Sequence, residues 1–137
     1  MSHFSRIQTK IHNREHLVQA LRKMGYSAQV GHHQVRGHGG QTTSAEILVP
    51  LSNTNYNLGF VKQGEYYELV ADWYGISGVD SGRLLQQLQA EIGRIEAKIK
   101  QEYAYQTTVK SLQEKGFDLV EETRENGEIY IQLQRLV

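Results

Sequence analysis

Leu17, Leu21 and Met24 recur at helical spacing, with Val18 beside them, in a stretch otherwise made of polar residues. The spacing predicts a helix over 13–24. Asn13 offers its side-chain oxygen to the unpaired N–H groups of the first turn. Gly25 stands where a left-handed residue would close the last turn. Ahead of this helix, Phe4, Ile7 and Ile11 lie among polar neighbours and predict a short opening strand.

The pattern then changes from a period of about four to a period of two. Segments 27–35 and 44–51 read as two strand arms around a glycine-rich segment, and Pro50 marks either a sheet edge or the end of its strand. Segments 56–61 (YNLGFV) and 65–73 (EYYELVADW) form a second strand pair across the turn Lys62-Gln63-Gly64. In 65–73, Tyr67, Leu69 and Ala71 share one face, while Tyr66, Glu68, Val70 and Asp72 share the other.

After the loop 75–82 (GISGVDSG), Leu85, Leu88, Ile92, Ile95 and Ile99 repeat at alternating spacings of three and four, which predicts the seam of a long helix. The pattern runs on through Tyr105, Val109 and Leu112 to Gly116, as one helix or as two with a bend near 106–108. FDLVEE and EIYIQLQRL then flank Asn126-Gly127, a favoured hairpin pair. LRKMGYSAQV and LQEKGFDLVE share an order of helix, glycine, aromatic and strand, which suits two helix–strand–strand halves, ferredoxin-like in outline, and suits chance similarity as well. The expected fold is a single α+β domain over 1–137. One antiparallel sheet of about five to seven strands packs on two or three helices.

Composition narrows the chemistry. Lys and Arg number 15 and Asp and Glu number 15, so no overall field draws the chain to nucleic acid or an anionic membrane. The absence of cysteine removes disulfides, thiolate nucleophiles and cysteine-held metals. No window approaches the length of apolar chain that spans a bilayer, and the start has no secretory pattern, so a soluble intracellular protein is expected.

The segment VGHHQVRGHGGQTT concentrates what chemistry there is. A Walker-type phosphate loop fails, because Gly40-Gln41-Thr42 lacks the lysine and Val35 stands where the first glycine belongs. A dinucleotide loop fails because a strand follows rather than a helix. His32 and His33 point to opposite faces of a strand and His38 is five residues on, so the histidines read as surface residues of a hairpin rather than a zinc set. His12 and His16 are spaced by four but straddle the cap. Asp72 and Asp80 flank one loop and are the only pair considered for carboxylate catalysis. Helix capping accounts more simply for Asp80 and Ser81. Tyr56, Phe60, Tyr66, Tyr67, Trp73 and Tyr74 crowd around the same loop, as core or as a contact surface.

Taken in order, MSHFSRIQTKI, LRKMGY, VRGHGGQTTSAEILV, YNLGFV and YELVADWYG resemble the family known as hypothetical chloroplast reading frame thirty-five, a domain of unknown function. The resemblance covers essentially the whole chain, most closely residues 1–75. It implies a role in photosynthetic cells, cyanobacterial or plastid, and a shared complex with small proteins that include a ferredoxin-like one. Arg36-Gly37 and Gly40-Gln41-Thr42 match best. Where His38 stands the family often carries an aromatic residue, so the loop's shape matters more than its imidazoles.

The functional expectation is an interaction or assembly module for a protein partner, located in the cytoplasm or the plastid stroma. No nucleic acid, cofactor, metal or catalytic residue is expected. Its face would join the hairpin residues Arg36, Gly37, Gly40, Gln41 and Thr42 to Trp73, Tyr74 and Asp80. The alternative is a small anionic-ligand site, sensory or enzymatic, built from Arg36, the glycine amides and Asp72 or Asp80.

Overall fold

The computed structural model describes residues 4–136 except Asn53, Tyr74 and Ser77. The elements run β1 (Phe4–Gln8), α1 (Arg14–Lys23), β2 (Gln29–Arg36), a 3₁₀ turn (His38–Gly40), β3 (Thr42–Pro50), β4 (Asn57–Gln63), β5 (Tyr66–Asp72), α2 (Ser81–Glu114), β6 (Phe117–Glu125) and β7 (Glu128–Arg135). The α+β class is as the pattern predicts. The strands divide into a five-stranded sheet in the order β1-β5-β4-β3-β2 and a two-stranded sheet β6-β7, instead of joining one sheet. The chain forms two compact units, Met1–Gly93 and Arg94–Val137. Among the described residues no helix is long and apolar enough to cross a membrane.

In the first unit all neighbouring strands are antiparallel, and β1 and β2 lie at opposite edges. The chain must therefore cross the sheet between them, and α1 makes that crossing. Asn13 caps it as expected, its Oδ1 accepting the His16 N–H at 3.0 Å, and Gly25 follows the helix with φ of 96°. Asn13→Ala leaves that N–H without its acceptor. It is expected to cost about 1 kcal/mol in urea unfolding, with the far-UV spectrum unchanged.

Leu17, Ala20 and Leu21 of α1 are fully buried, as are Leu58, Phe60 and Leu69 on one sheet face. Each such leucine or phenylalanine contributes about 1.5–3 kcal/mol by leaving water. Leu84, Leu88 and Ile92 of α2 complete this layer, and Lys23 Nζ meets Glu91 Oε2 at 3.4 Å between the two helices. The seam read from sequence is thus corrected. Leu84 takes the deeply buried position expected of Leu85, and Ile99 is 51% exposed, because burial follows the four-residue row 84, 88, 92 and ends there. The helix itself is continuous to Glu114, without a break at 106–108. Pro50 ends β3, which is an interior strand and not an edge.

The opposite sheet face shows what alternation alone leaves open. Val70 and Asp72, which share that face with Tyr66 and Glu68, are both fully buried. The cause lies in the β2-β3 ribbon. β3 pairs with β4 only from Ile47 to Pro50, while a register shift between Val30 and His33 bends the ribbon. Its far half folds across β4, β5 and β1. Val35 and Ala45 lie so close over Gly59 that a Cβ there would stand 2.3 and 2.7 Å from them. Further along, Arg6 Nη2 donates to Thr43 Oγ1 at 3.3 Å. β5 is thereby covered on both sides.

The second unit consists of the later part of α2 and the β6-β7 hairpin. Asn126 and Gly127 have φ of 50° and 76°, the paired positive values that a tight two-residue hairpin turn requires. Gln101 donates to the Gly127 carbonyl, Arg124 pairs with Glu102, and the Arg124 guanidinium lies 5.3 Å from the centre of the Tyr105 ring. The hairpin therefore runs back along the helix.

Candidate functional site

The folded-over ribbon ends in the glycine hairpin, and the hairpin is held from below. Asp72, wholly buried at the end of β5, accepts the His38 N–H on Oδ2 at 2.7 Å. Gly37 lies directly over this carboxylate. A Cβ on Gly37 would stand 3.0 Å from Asp72 Oδ2 and 2.7 Å from Phe4 Cζ, so only glycine lets the backbone sit this low. The Gly37 N–H donates to the Gln41 carbonyl at 2.8 Å, and the Arg36 N–H donates to Asn57 Oδ1 at 2.7 Å. Gly39 and Gly40 both have positive φ, 70° and 76°, and shape the tip.

Beside the tip opens a cleft of about 320 Å³. Arg36, Gly37, Gly39, Gly40 and Thr42 form one side, and Asn55 and Tyr56 form the other. Arg36 is exposed, and its guanidinium makes no hydrogen bond or ion pair with any described residue. The Tyr56 ring is pressed on Gly75, whose Cβ would fall 1.4 Å from Tyr56 Cε2. An arginine fork beside a threonine hydroxyl and an aromatic edge suits a carboxylate or phosphate group.

The expected site residues separate in space. Arg36, Gly37, Gly40 and Thr42 line the cleft, whereas Gln41 is exposed beside it and contributes its backbone to the turn. Asp80 is not among the described lining residues. It caps α2, with Oδ1 accepting the Arg83 N–H at 2.9 Å. Asp72 and Asp80 therefore hold backbone at two different places. Trp73 is half-buried, and its indole N–H is enclosed without an acceptor among the described residues. Tyr74 lies outside the described residues. Later residues of that loop, Gly78 and Val79, line a separate hollow of about 450 Å³ with Tyr26, Ser27 and Pro50.

Sequence reasoning passed over Asn55 and Asn57 as site residues and weighed Tyr56 only among the aromatics crowded around the loop. The signal available was their place at the start of β4, next to polar turn residues. Of the crowded aromatics, Phe60 and Tyr67 belong to the core, and burial, with the Glu46 carboxylate adding to it, pushes the Tyr67 phenol up. Among the described residues no three His, Asp or Glu side chains group as a metal site would require.

A family model described as a protein of unknown function, DUF1257, matches residues 20–132. The chain belongs to this family. Proteins bearing the name uncharacterized protein ycf35 from Guillardia theta and Cyanophora paradoxa are 36% and 35% identical to it, each over 98% of this chain and 98% of its own. One of the same name from Pyropia yezoensis is 27% identical over the same shares. No solved structure gives a significant match. The family expected from the ordered motifs is the family found, and the relatives are matched from end to end.

Proposed function

We propose that this DUF1257 protein is a non-catalytic binding module that docks a protein partner at the Arg36 cleft, where the guanidinium takes an acidic group of that partner. The observation that carries this reading is the make-up of the cleft. Its described lining offers one unpaired guanidinium, glycine backbone, a threonine hydroxyl, an asparagine amide and a tyrosine ring, and no carboxylate, histidine or lysine. Acid–base or nucleophilic catalysis calls for a titratable group or an activated nucleophile, and the described lining offers only the Tyr56 phenol and the Thr42 hydroxyl, with no histidine, carboxylate or lysine to activate either. Recognition of an acidic group calls for donors held in place, and the bonds from Arg36 and His38 to Asn57 and Asp72 hold them.

The resemblance to proteins of photosynthetic cells makes a ferredoxin-like or other photosynthesis-linked protein the candidate partner. The setting is the cytoplasm of a cyanobacterium or a plastid stroma. The small-ligand reading uses the same cleft, whose volume lies at the lower end of the range that small molecules occupy.

Affinity capture from native lysate tests the docking reading. Arg36→Glu is expected to lose the partner held by the wild-type chain with an unchanged melting temperature, and Arg36→Lys to retain part of it, because lysine keeps the charge but not the fork. Full retention by Arg36→Glu would place the docking site elsewhere. Thermal-shift measurements with inorganic phosphate and citrate separate the second reading. A rise in the wild type that Arg36→Glu abolishes, with no captured protein, would favour a small anion.

A further inference from the structure

The second unit, remote in sequence from the Arg36 cleft, carries an interaction surface of its own. None of its described residues is buried. Of the large apolar side chains most exposed in the described structure, all but Val30 belong to it: Ile99, Tyr103, Val120, Tyr130 and Leu136. Its hairpin presents Phe117, Leu119, Ile129, Ile131 and Leu133 at half-burial. Two strands alone are a marginal sheet, and three or four are the usual minimum for a face that stays dry.

The two-stranded sheet has two open edges, and they are not alike. β6 has a register irregularity at Val120 and carries Asp118, Glu121, Glu122, Arg124 and Glu125. A bulge and a row of charges are the usual guards of a free edge. β7 has neither. Between Glu128 and Arg135 its residues are Ile129, Tyr130, Ile131, Gln132, Leu133 and Gln134, uncharged and free of glycine and proline.

We propose that the open edge of β7 pairs antiparallel with β7 of a second copy of this chain. The strand is self-complementary in this sense. Centred on Ile131, the pairing sets Ile129 opposite Leu133 of the second copy and Ile131 opposite its own equivalent, so one apolar face runs unbroken across the seam. On the other face Tyr130 stands opposite Gln132 and Glu128 opposite Gln134. Glu128 thus faces an uncharged residue, and no like charges meet across the seam. Parallel pairing would instead bring Glu128 against Glu128 and Arg135 against Arg135. The product is a four-stranded antiparallel sheet backed by two helices, closed by a two-fold axis.

Sedimentation equilibrium and a charge exchange test this. The wild-type chain is expected to form a dimer whose population rises with concentration. Tyr130→Lys with Gln132→Lys sets lysine against lysine at the seam on exposed positions, so this variant is expected to be monomeric with a wild-type circular dichroism spectrum. Ile131→Lys alone serves if the double variant does not fold, because residue 131 stands opposite its own equivalent and a single change sets lysine against lysine. Mixing the lysine variant with Tyr130→Glu and Gln132→Glu puts each introduced lysine opposite an introduced glutamate, and a heterodimer is expected to return. A wild-type chain that stays monomeric throughout overturns the proposal. So does a dimer that survives the lysine variants, or a mixture that does not pair.

Discussion

Asp72→Ala is expected to lower the free energy of unfolding by about 2–3 kcal/mol, because it removes a charge-assisted acceptor and leaves the donor of a part-buried hydrogen bond unsatisfied. The carboxylate is fully buried and its Oδ2 accepts the His38 N–H at 2.7 Å, under a glycine that only just clears it. Asp72→Asn keeps an oxygen for that N–H and is expected to lose about half as much. Urea unfolding gives the total, and hydrogen exchange at the His38 amide gives the local part. A loss from Asp72→Ala below about 1 kcal/mol would mean that the hairpin is held by other contacts. Since the same bond holds the backbone beside Arg36, partner capture should weaken in Asp72→Ala even at temperatures where the chain stays folded.

Gly59→Ala is expected to cost about 1–3 kcal/mol, and Gly59→Val more, through overpacking rather than backbone strain. The added Cβ meets Val35 Cγ2 at 2.3 Å and Ala45 Cβ at 2.7 Å. The first is the end of a side chain. The second is fixed to the backbone of β3, so the ribbon itself must lift. Val35→Ala should therefore recover part of the loss, and the double-mutant cycle should show a coupling of about 0.5–3 kcal/mol between the two sites. Additive effects would show that the ribbon does not lie on Gly59. Gly64→Ala is the control, because its Cβ points into open space and its positive φ of 62° is the only obstacle.

What was legible in the sequence is what neighbours in the chain decide. The cap at Asn13, the stop at Gly25 and the turn at Asn126-Gly127 depend on a few adjacent residues, and each stands where the pattern placed it. Alternation along β5 correctly paired Tyr67 with Leu69 and Ala71 and set Val70 and Asp72 on the other face, but it did not say that this face is buried too. Their burial depends on Val35 and Ala45 arriving from the ribbon, and a period of two reports the faces of a strand without saying what covers them. The candidate site divided in the same way. Glycines marked the hairpin because positive φ and close approach leave a compositional trace. Asn55 and Tyr56 left only their place just ahead of β4 beside polar turn residues, because it is the fold that brings them to the cleft. Asp80 drew attention as an acid near glycines, and its role is the local one of capping α2.

The pairing of β1 with β5 sets the order in which this sheet can be completed. Along β5 Phe4 pairs with Asp72 and Gln8 with Glu68. On a ribosome β1 therefore waits for this neighbour until the whole meander β2 to β5 has followed it. Closing so long a loop is entropically costly, and contacts of this separation place folding toward the slower end for small domains. Until then Phe4 and Ile7 remain in solvent on an unpaired strand, and the buried charge of Asp72 waits beneath a hairpin not yet laid over it. The chain is most open to wrong pairing in that interval, and what ends it is the arrival of Tyr66–Asp72.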